Sequence, residues 1–516
     1  MNETKPVTRV LIVGAGPTGM VLALWLARLG VAVRIIDKTA SPGTTSRALA
    51  VQIRTLELYR QLGIANQVTA HGHWVETVNL WVAGRKTARL GFGAAGNDFS
   101  AYPGPIIYPQ DEHEKMLVDE LASVGVIVER CCELLDFAEI KGQVSARVRG
   151  ANGVEESVVV DYIAGCDGAH SRVREVLNIG FPGGTYEHLF YVADIEGRGE
   201  PVNGELHVAL DTNDFLAVFP MAKAGTVRLV GTVRQAPDDA HQSLSWDDVS
   251  QRVVQWLHLE VIKVNWLSTY RVHHRVAQQF RKGRAFLLGD AAHIHSPAGG
   301  QGMNTGIGDA VNLAWKLAAV LQARGRDALL DTYEPERIAF ARRLVKSTDR
   351  GFREVTSSNW LARRVRLDLV PVVAPMALHF RVVRRFMLRT ISQLLVSYPA
   401  SALSEGRAGA VRAGQRLPWV RMSVEAEDNF APLSSLDWQV HVYGVPSAEL
   451  SEVCLARRLP LHAFAWQAEA MRAGFTRDAA YLVRPDGYIA LIRVMGRAAD
   501  LLSYLDRHGI VARGSR

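Results

Sequence analysis

Val10-Leu-Ile-Val-Gly14-Ala-Gly-Pro-Thr-Gly19-Met20 decides the fold. Arg9 to Val13 is a short apolar run of the kind that forms a buried parallel strand, and Met20 to Leu29 is rich in helix formers. A second apolar run, Val31 to Ile36, ends at Asp37, 18 residues beyond Gly19, with Lys38 behind it. Strand, glycine turn, helix, strand and acid, in that order, make the dinucleotide-binding unit. Gly14 permits the tight turn, and Gly16 lets backbone N–H groups approach a pyrophosphate. Gly19 brings the helix against the strand. The turn residues Ala15, Pro17 and Thr18 then sit at a positive helix end that favours phosphate. Asp37 is placed to accept hydrogen bonds from ribose hydroxyls. An ordinary βαβ unit with small turn residues would also read this way, and the motif alone does not say which dinucleotide binds.

Two later segments narrow the choice. Cys166-Asp167-Gly168-Ala-His-Ser171-Arg172-Val-Arg174 follows an apolar run. Leu288-Gly289-Asp290 ends another, Ala285 to Leu288, at what should be a strand's carboxyl end, where open α/β sheets bind ligands. A carboxylate there can accept hydrogen bonds from a polyol chain. Pro297-Ala-Gly-Gly300-Gln301-Gly302-Met303-Asn304 is rich in glycine, as close backbone approach to a flat ring requires. Gly306 to Leu321 reads as a helix with Ala310, Leu313, Ala314, Leu317 and Ala318 on its packed stripe, and Asn304 or Thr305 as its cap.

The chain resembles the single-component flavin-dependent aromatic hydroxylases, and within them the phenol hydroxylase, pentachlorophenol monooxygenase and polyketide or rifampicin hydroxylase branch. Asp167-Gly168 is similar to that family's DG motif, and Gly289-Asp290 with Pro297 to Asn304 to its GD motif and flavin-ring loop. Ser46-Arg47-Ala48, Gln110 and Arg484-Pro-Asp-Gly-Tyr488 extend the likeness over most of the chain. The resemblance implies an α/β protein: a Rossmann-type FAD-binding domain, an inserted antiparallel-sheet substrate domain and a thioredoxin-like C-terminal domain. It implies FAD as cofactor, NADPH or NADH and dioxygen as co-substrates, and hydroxylation of an aromatic small molecule through a flavin C4a-hydroperoxide. Arg47 and Gln110 match positions that contact the FAD pyrophosphate and ribityl chain, and the Pro297 backbone would border the reaction site. Relatives carry a phenol-activating aspartate where this chain has Leu49. No catalytic base is assigned; His207, Tyr191, Asp194 and Arg234 read as structural or exposed. Baeyer–Villiger or N-oxygenation on the same fold, and a flavin-binding protein without turnover, stay open. The Trp-x-Trp-x-Ile-Pro signature of flavin halogenases is absent.

Organisation along the chain is discontinuous. Residues 1–180 read as the first part of the FAD-binding domain, 181–275 as the substrate-binding sheet and 276–345 as the return to the FAD-binding domain. Residues 346–404 read as a helical connector and 405–516 as the thioredoxin-like region, without redox cysteines and with Leu491 where relatives carry Trp. The four cysteines show no CxxC, so neither a disulfide framework nor a zinc site is indicated. No Cys or carboxylate cluster near His293 and His295 completes a metal set. No GxSxG elbow suggests a hydrolase. A cytoplasmic location is expected, since Lys5 and Arg9 lead straight into the first strand and no apolar run is long enough to span a membrane.

The net charge of +7 is uneven. Arginines crowd 361–389, where Met376, Phe380, Val383 and Met387 are expected on the buried face of an inter-domain helix. Nucleic acid is not an expected partner, nor is a membrane; a homodimer is one expected assembly.

Overall fold

A computed structural model describes residues 8–43, 49–92, 98–211, 215–233, 246–249, 251–296, 299–356, 359–422, 428–494 and 497–514. Strand β1 (Val10–Val13), helix α1 (Pro17–Arg28) and strand β2 (Val33–Ile36) form the expected unit. All four β1 residues are buried, as a strand covered by helices on both faces must be. The strand pairs in parallel with β2 on one side and Tyr162–Gly165 on the other, and Ala285–Leu287 continues the parallel order. The motif segments after Val13, Gly165 and Leu287 therefore leave one sheet at its carboxyl edge, side by side.

A second sheet has eight strands. Its long members, Gly183–Arg198 and Glu260–Val276, pair antiparallel, but the sheet reaches beyond 181–275. It recruits the hairpin Thr77–Val82 and Arg85–Gly91 from the first part of the chain and His293–Ile294 from the GD segment. Strands within 181–275 pair antiparallel, whereas Leu206–Leu210 runs parallel to the recruited strand Thr77–Val82. A small antiparallel meander, Glu133–Ile140, Gln143–Arg149 and Glu155–Val160, lies apart from both.

Helix Tyr333–Thr356 leads into the arginine-rich region, where a single helix over Met376 to Arg389 does not form. Phe380 is extended (ψ 122°) and divides Val370–His379 from Arg381–Ile391. Arg384 Nη1 donates to the carbonyls of Leu378 and His379, closing the first helix's open end. The expected buried face is split by it: Met376 is 64% and Phe380 62% exposed, while Val383 and Met387 are half-buried. Beyond lies a four-stranded sheet, Leu461–Phe464, Gln439–Tyr443, Ala480–Val483 and Ile489–Arg493, with its first pair parallel and the others antiparallel. It packs on the nucleotide-binding core, where the Trp315 and Trp438 rings meet edge to face at 5.4 Å. Among the described residues no helix is long and apolar enough to cross a membrane.

Candidate cofactor site

The glycine turn is shaped by what it touches. Gly14 has φ +102°, and a Cβ there would run into the backbone of Cys166 and Asp167. Motif one thus packs directly on the DG segment. Gly19 has no room for a side chain either, because the Gly14 carbonyl fills the space. Gly16 differs: a Cβ there would meet nothing within 4 Å, and its φ of −77° suits any residue. It lies at the N-terminus of α1 with no side-chain cap, Pro17 supplying the first helical position. Ala15 N donates to Asp37 Oδ2 (2.7 Å), while Thr39 N and Oγ1 donate to Oδ1 (2.8 and 2.6 Å). Asp37 thereby clamps the turn to the end of β2, and its carboxylate keeps lone pairs for another donor. Lys38 is exposed.

Thr18 joins the first motif to the third. A Cβ on Gly289 would lie 2.8 Å from Thr18 Oγ1, and one on Gly306 would collide with the same atom. Gly289 (φ +57°) turns the chain, and Asp290 is exposed just past the sheet edge. Gly289 N donates to Asp309 Oδ2 (3.0 Å), an oxygen that also accepts from His293 Nε2 (2.7 Å). Arg337 Nε donates to Asp309 Oδ1 (2.5 Å), and its Nη groups reach the Thr305 carbonyl and the Tyr398 hydroxyl. Burial alone would raise the Asp309 pKa, but Arg337, with help from His293, holds it below the usual carboxylate value.

The DG segment serves as a brace. Asp167 Oδ2 accepts from Val173 N, and Ser171 caps the short helix Arg172–Val176. Burial pushes the Asp167 carboxyl up, against the hydrogen bonds it receives. Gly168 (φ +79°) faces open space. Arg174 donates to the carbonyls of Ala169 and Ala291, tying the DG segment to the residue after Asp290, and its guanidinium lies 4.0 Å from the Phe181 ring.

The helix following the glycine loop spans Gly302–Leu321, so it begins four residues before the expected Gly306, and neither Asn304 nor Thr305 caps it. Asn304 lies inside the first turn and is nearly fully buried. Its Oδ1 accepts from Gln52 N and Thr55 Oγ1, and its Nδ2 donates to the carbonyls of Ala50 and Gly300. Gln301 Nε2 donates to the carbonyls of Gly299 and Ile391, and its Oε1 accepts from Gln393 (2.7 Å). Both side chains lock the loop from behind. Gly300 (φ +61°) backs onto Ala50, and Met303 is half-buried. Gln110 donates to Glu114 Oε1 on its own helix, and Glu114 Oε2 accepts from Gly43 N. Arg47, Pro297 and Arg234 lie outside the described residues.

The residues fit FAD on two grounds. Two long helices, α1 and Gly302–Leu321, present N-termini without side-chain caps beside the same sheet edge. In addition, Gln52 Oε1, His295 Nε2 and Ser296 Oγ are buried around the glycine loop without partners among the described residues. His295 Nδ1 donates to the Ser296 carbonyl, which leaves Nε2 an acceptor; burial lowers its pKa to about 4. His293 is engaged by Asp309, and the described residues contain no group of three or more His, Cys, Asp or Glu able to bind a metal.

An apolar layer lies beside the loop. Leu49, Ile53, Val75, Leu90, Phe92, Ile107, Leu388 and Leu394 form one buried cluster, with Phe219 and Met221 of the large sheet and Leu378 and Met387 of the arginine-rich helices packed against it. His207 is fully buried and accepts from Trp81 Nε1, burial lowering its pKa to about 4, while Asp194 pairs with Arg228 through both carboxylate oxygens. Both are structural.

A family model described as FAD binding domain matches residues 7–348. The chain is 36% identical to a 6-methylpretetramide 4-monooxygenase of Streptomyces rimosus over 77% of this chain and 71% of that one. It is 31% identical to a flavin-dependent monooxygenase of Mycobacteroides abscessus over 96% of this chain and 99% of that one. Among solved structures, the anhydrotetracycline hydroxylase from Streptomyces rimosus superposes with TM-score 0.78 at 28% identity, covering 98% of this chain and 99% of that chain.

Proposed function

As the chain belongs to the family of FAD-dependent aromatic monooxygenases, we propose that it hydroxylates a polycyclic, polyketide-type aromatic molecule with NAD(P)H and dioxygen. One observation carries the reading. The glycine loop Gly299–Gly302 backs onto Ala50 and Gln52, and Ala50 packs against an apolar layer built from Leu49, Phe92, Phe219 and Leu394. A cofactor ring seated on that loop faces a surface suited to fused rings. The relatives' 6-methylpretetramide and anhydrotetracycline substrates favour the same class.

Bound FAD supplies the redox and oxygen-transfer chemistry. The chain's residues hold it and shield it. Backbone N–H groups of the turn from Gly14 to Gly19 hold the pyrophosphate, and Asp37 the adenosine ribose. Gln110 and the Asp167-Gly168 segment would line the nucleotide's course, Arg47 being assigned to it by the family likeness alone, and Asp290 would accept from the ribityl hydroxyls. The N-terminus of the Gly302 helix stabilises negative charge at the ring's edge. Gln301 and Asn304 fix the loop, and the family likeness alone assigns the Pro297 backbone to the border of the reaction site. The apolar layer keeps water from the reacting atoms. Leu49 provides no carboxylate to deprotonate a phenol, so the substrate ring must bring its own electron density. Residues 1–180 and 276–345 are the FAD-binding domain, 181–275 the body of the substrate-binding sheet, 346–404 the connector and 405–516 a thioredoxin-like domain.

The test is direct. Purified protein should be yellow and release FAD on denaturation. NADPH consumption should depend on an added polycyclic aromatic, with a product heavier by one oxygen atom. A protein that takes up no FAD, or NADPH oxidation indifferent to every aromatic in a phenol and polyketide panel, overturns the proposal.

A further inference from the structure

A cleft of about 880 Å³ opens between the helix Arg381–Ile391 and the C-terminal region, away from the glycine turn. That volume is of the size that takes a cofactor fragment. Its walls carry six arginines, Arg381, Arg385, Arg389, Arg416, Arg421 and Arg472, against two carboxylates, Asp98 and Glu469.

The pairing of these cations is incomplete. Arg381 and Arg385 share Asp98 (3.1 and 3.5 Å), and Arg472 takes Glu469 (2.5 Å). Arg416 is turned to Glu57 behind the wall. Arg389 and Arg421 have no carboxylate partner among the described residues. Instead Arg389 lies 5.2 Å from the Phe99 ring, which Arg385 also approaches at 4.7 Å, and Arg421 lies 5.7 Å from the Trp419 ring. Burial, and then Arg416 and Arg385, press the Arg389 pKa down. Unpaired guanidinium groups beside aromatic faces suit a phosphate joined to a flat base.

The wall shared with the glycine loop gives the cleft its meaning. Leu394 to Ser397 line it. Immediately before them, the Ile391 carbonyl accepts from Gln301, and Gln393 donates to Gln301 and Thr305. A ligand held here is one chain's thickness from the loop that supports the cofactor ring.

We propose that this cleft docks the 2′-phosphoadenosine end of NADPH, with Arg389 and Arg421 taking the phosphomonoester and Trp419 or Phe99 the adenine. The proposal rests on the monooxygenase reading above and adds that the reductant is NADPH rather than NADH. The shared chemistry is a ribose phosphomonoester on adenosine, which carries close to two negative charges at neutral pH. Coenzyme A-type molecules carry it too, on the 3′ oxygen, so the experiment separates the two isomers.

Full-length, FAD-loaded protein is titrated with 2′,5′-ADP by calorimetry at low salt. Binding is expected, at least roughly tenfold tighter than that of 3′,5′-ADP or inorganic phosphate. Arg389→Gln and Arg421→Gln should each weaken it by roughly tenfold or more and raise the KM for NADPH. Arg364→Gln, on an exposed arginine outside the cleft, should leave it unchanged. Unaltered FAD content shows that each variant is folded. Equal 2′,5′-ADP affinity in both cleft variants overturns the proposal, as does 3′,5′-ADP binding as tightly as its isomer. If the arginine-dependent binding holds but no aromatic promotes NADPH oxidation, docking stands and the hydroxylase reading falls.

Discussion

At the scale of single residues, Gly16 separates folding from cofactor binding better than Gly14 does. Any side chain at Gly14 meets the Cys166–Asp167 backbone, so loss of FAD there would be mixed with loss of structure. Gly16 has open space and an ordinary φ. Gly16→Ala should therefore leave thermal unfolding of the cofactor-free protein within about 0.5 kcal/mol of the parent. Its FAD affinity should drop by about tenfold or more, because the methyl enters the space the pyrophosphate needs. Fluorescence titration of the cofactor-free protein with FAD measures this; unchanged affinity would remove the pyrophosphate from the turn. Asp290→Ala makes a complementary case. The carboxylate is exposed at the sheet edge, so stability should hold while FAD retention weakens by about 1.5–3 kcal/mol, the loss of a charged acceptor.

At the scale of elements, the contact between α1 and the Gly302 helix is set by Thr18 pressed against Gly306. Gly306→Ala should destabilise the protein by about 1–3 kcal/mol through overpacking. Adding Thr18→Ala should return part of that loss, giving a coupling energy of about 0.5 kcal/mol or more in a double-mutant cycle by denaturant unfolding. Strictly additive effects would show that the helices adjust elsewhere. This same contact marks the limit of what the sequence discloses. The strand–turn–helix order around Gly14, and the placement of Gly289-Asp290 at a strand end, are legible because local spacing encodes them. Asp309 is not. On the page it is one more polar residue of an amphipathic helix, yet it is fully buried under Gly289, with His293 and Arg337 as partners. Arg174 belongs to a legible motif, but its bond to the Ala291 carbonyl spans 117 positions and leaves no periodic trace. The start of the helix at Gly302 is hidden because Asn304 and Thr305 look like caps; their side chains serve Ala50, Gln52 and the Gln301 carbonyl instead. The break at Phe380 had no glycine or proline at that position to announce it.

For the molecule as a whole, the C-terminal region is joined to the cofactor helix by buried charge. Arg484 donates to both oxygens of Glu336 (2.7 and 3.0 Å), and Lys316 Nζ donates to Glu336 Oε2 (2.8 Å), all three being almost wholly buried. Burial would raise the Glu336 pKa, but Arg484 and Lys316 carry it well below the usual value of 4.5. A depressed carboxylate stabilises the fold above its unfolded-state value, so this contribution is full at neutral pH. It drains away as pH falls below about 4.5, because the unfolded chain then binds the extra proton. Asp309, also depressed, adds to the same acid-side loss below its ordinary 3.8. Glu336→Gln should cost about 3–5 kcal/mol at neutral pH by leaving buried Lys316 without a counter-charge and Arg484 with Asp486 alone, and should flatten the acid limb of stability against pH. Unfolding midpoints across pH 3–7 for both proteins test it; parallel curves would show that the acid loss arises elsewhere.

The cluster also bears on the order in which the protein is made. The dinucleotide unit leaves the ribosome before the C-terminal region, and domains generally fold in that order. Here Lys316 on the helix behind the glycine loop and Glu336 on the helix Tyr333–Thr356 meet a partner that emerges 148 residues after Glu336. A nascent chain halted before Arg484 has every cofactor motif already translated, yet lacks the guanidinium that meets both oxygens of Glu336. Stable uptake of flavin is therefore expected only after Arg484 has emerged, and a chain cut before it should retain less flavin than the parent by absorbance; equal retention would show that the two events are independent.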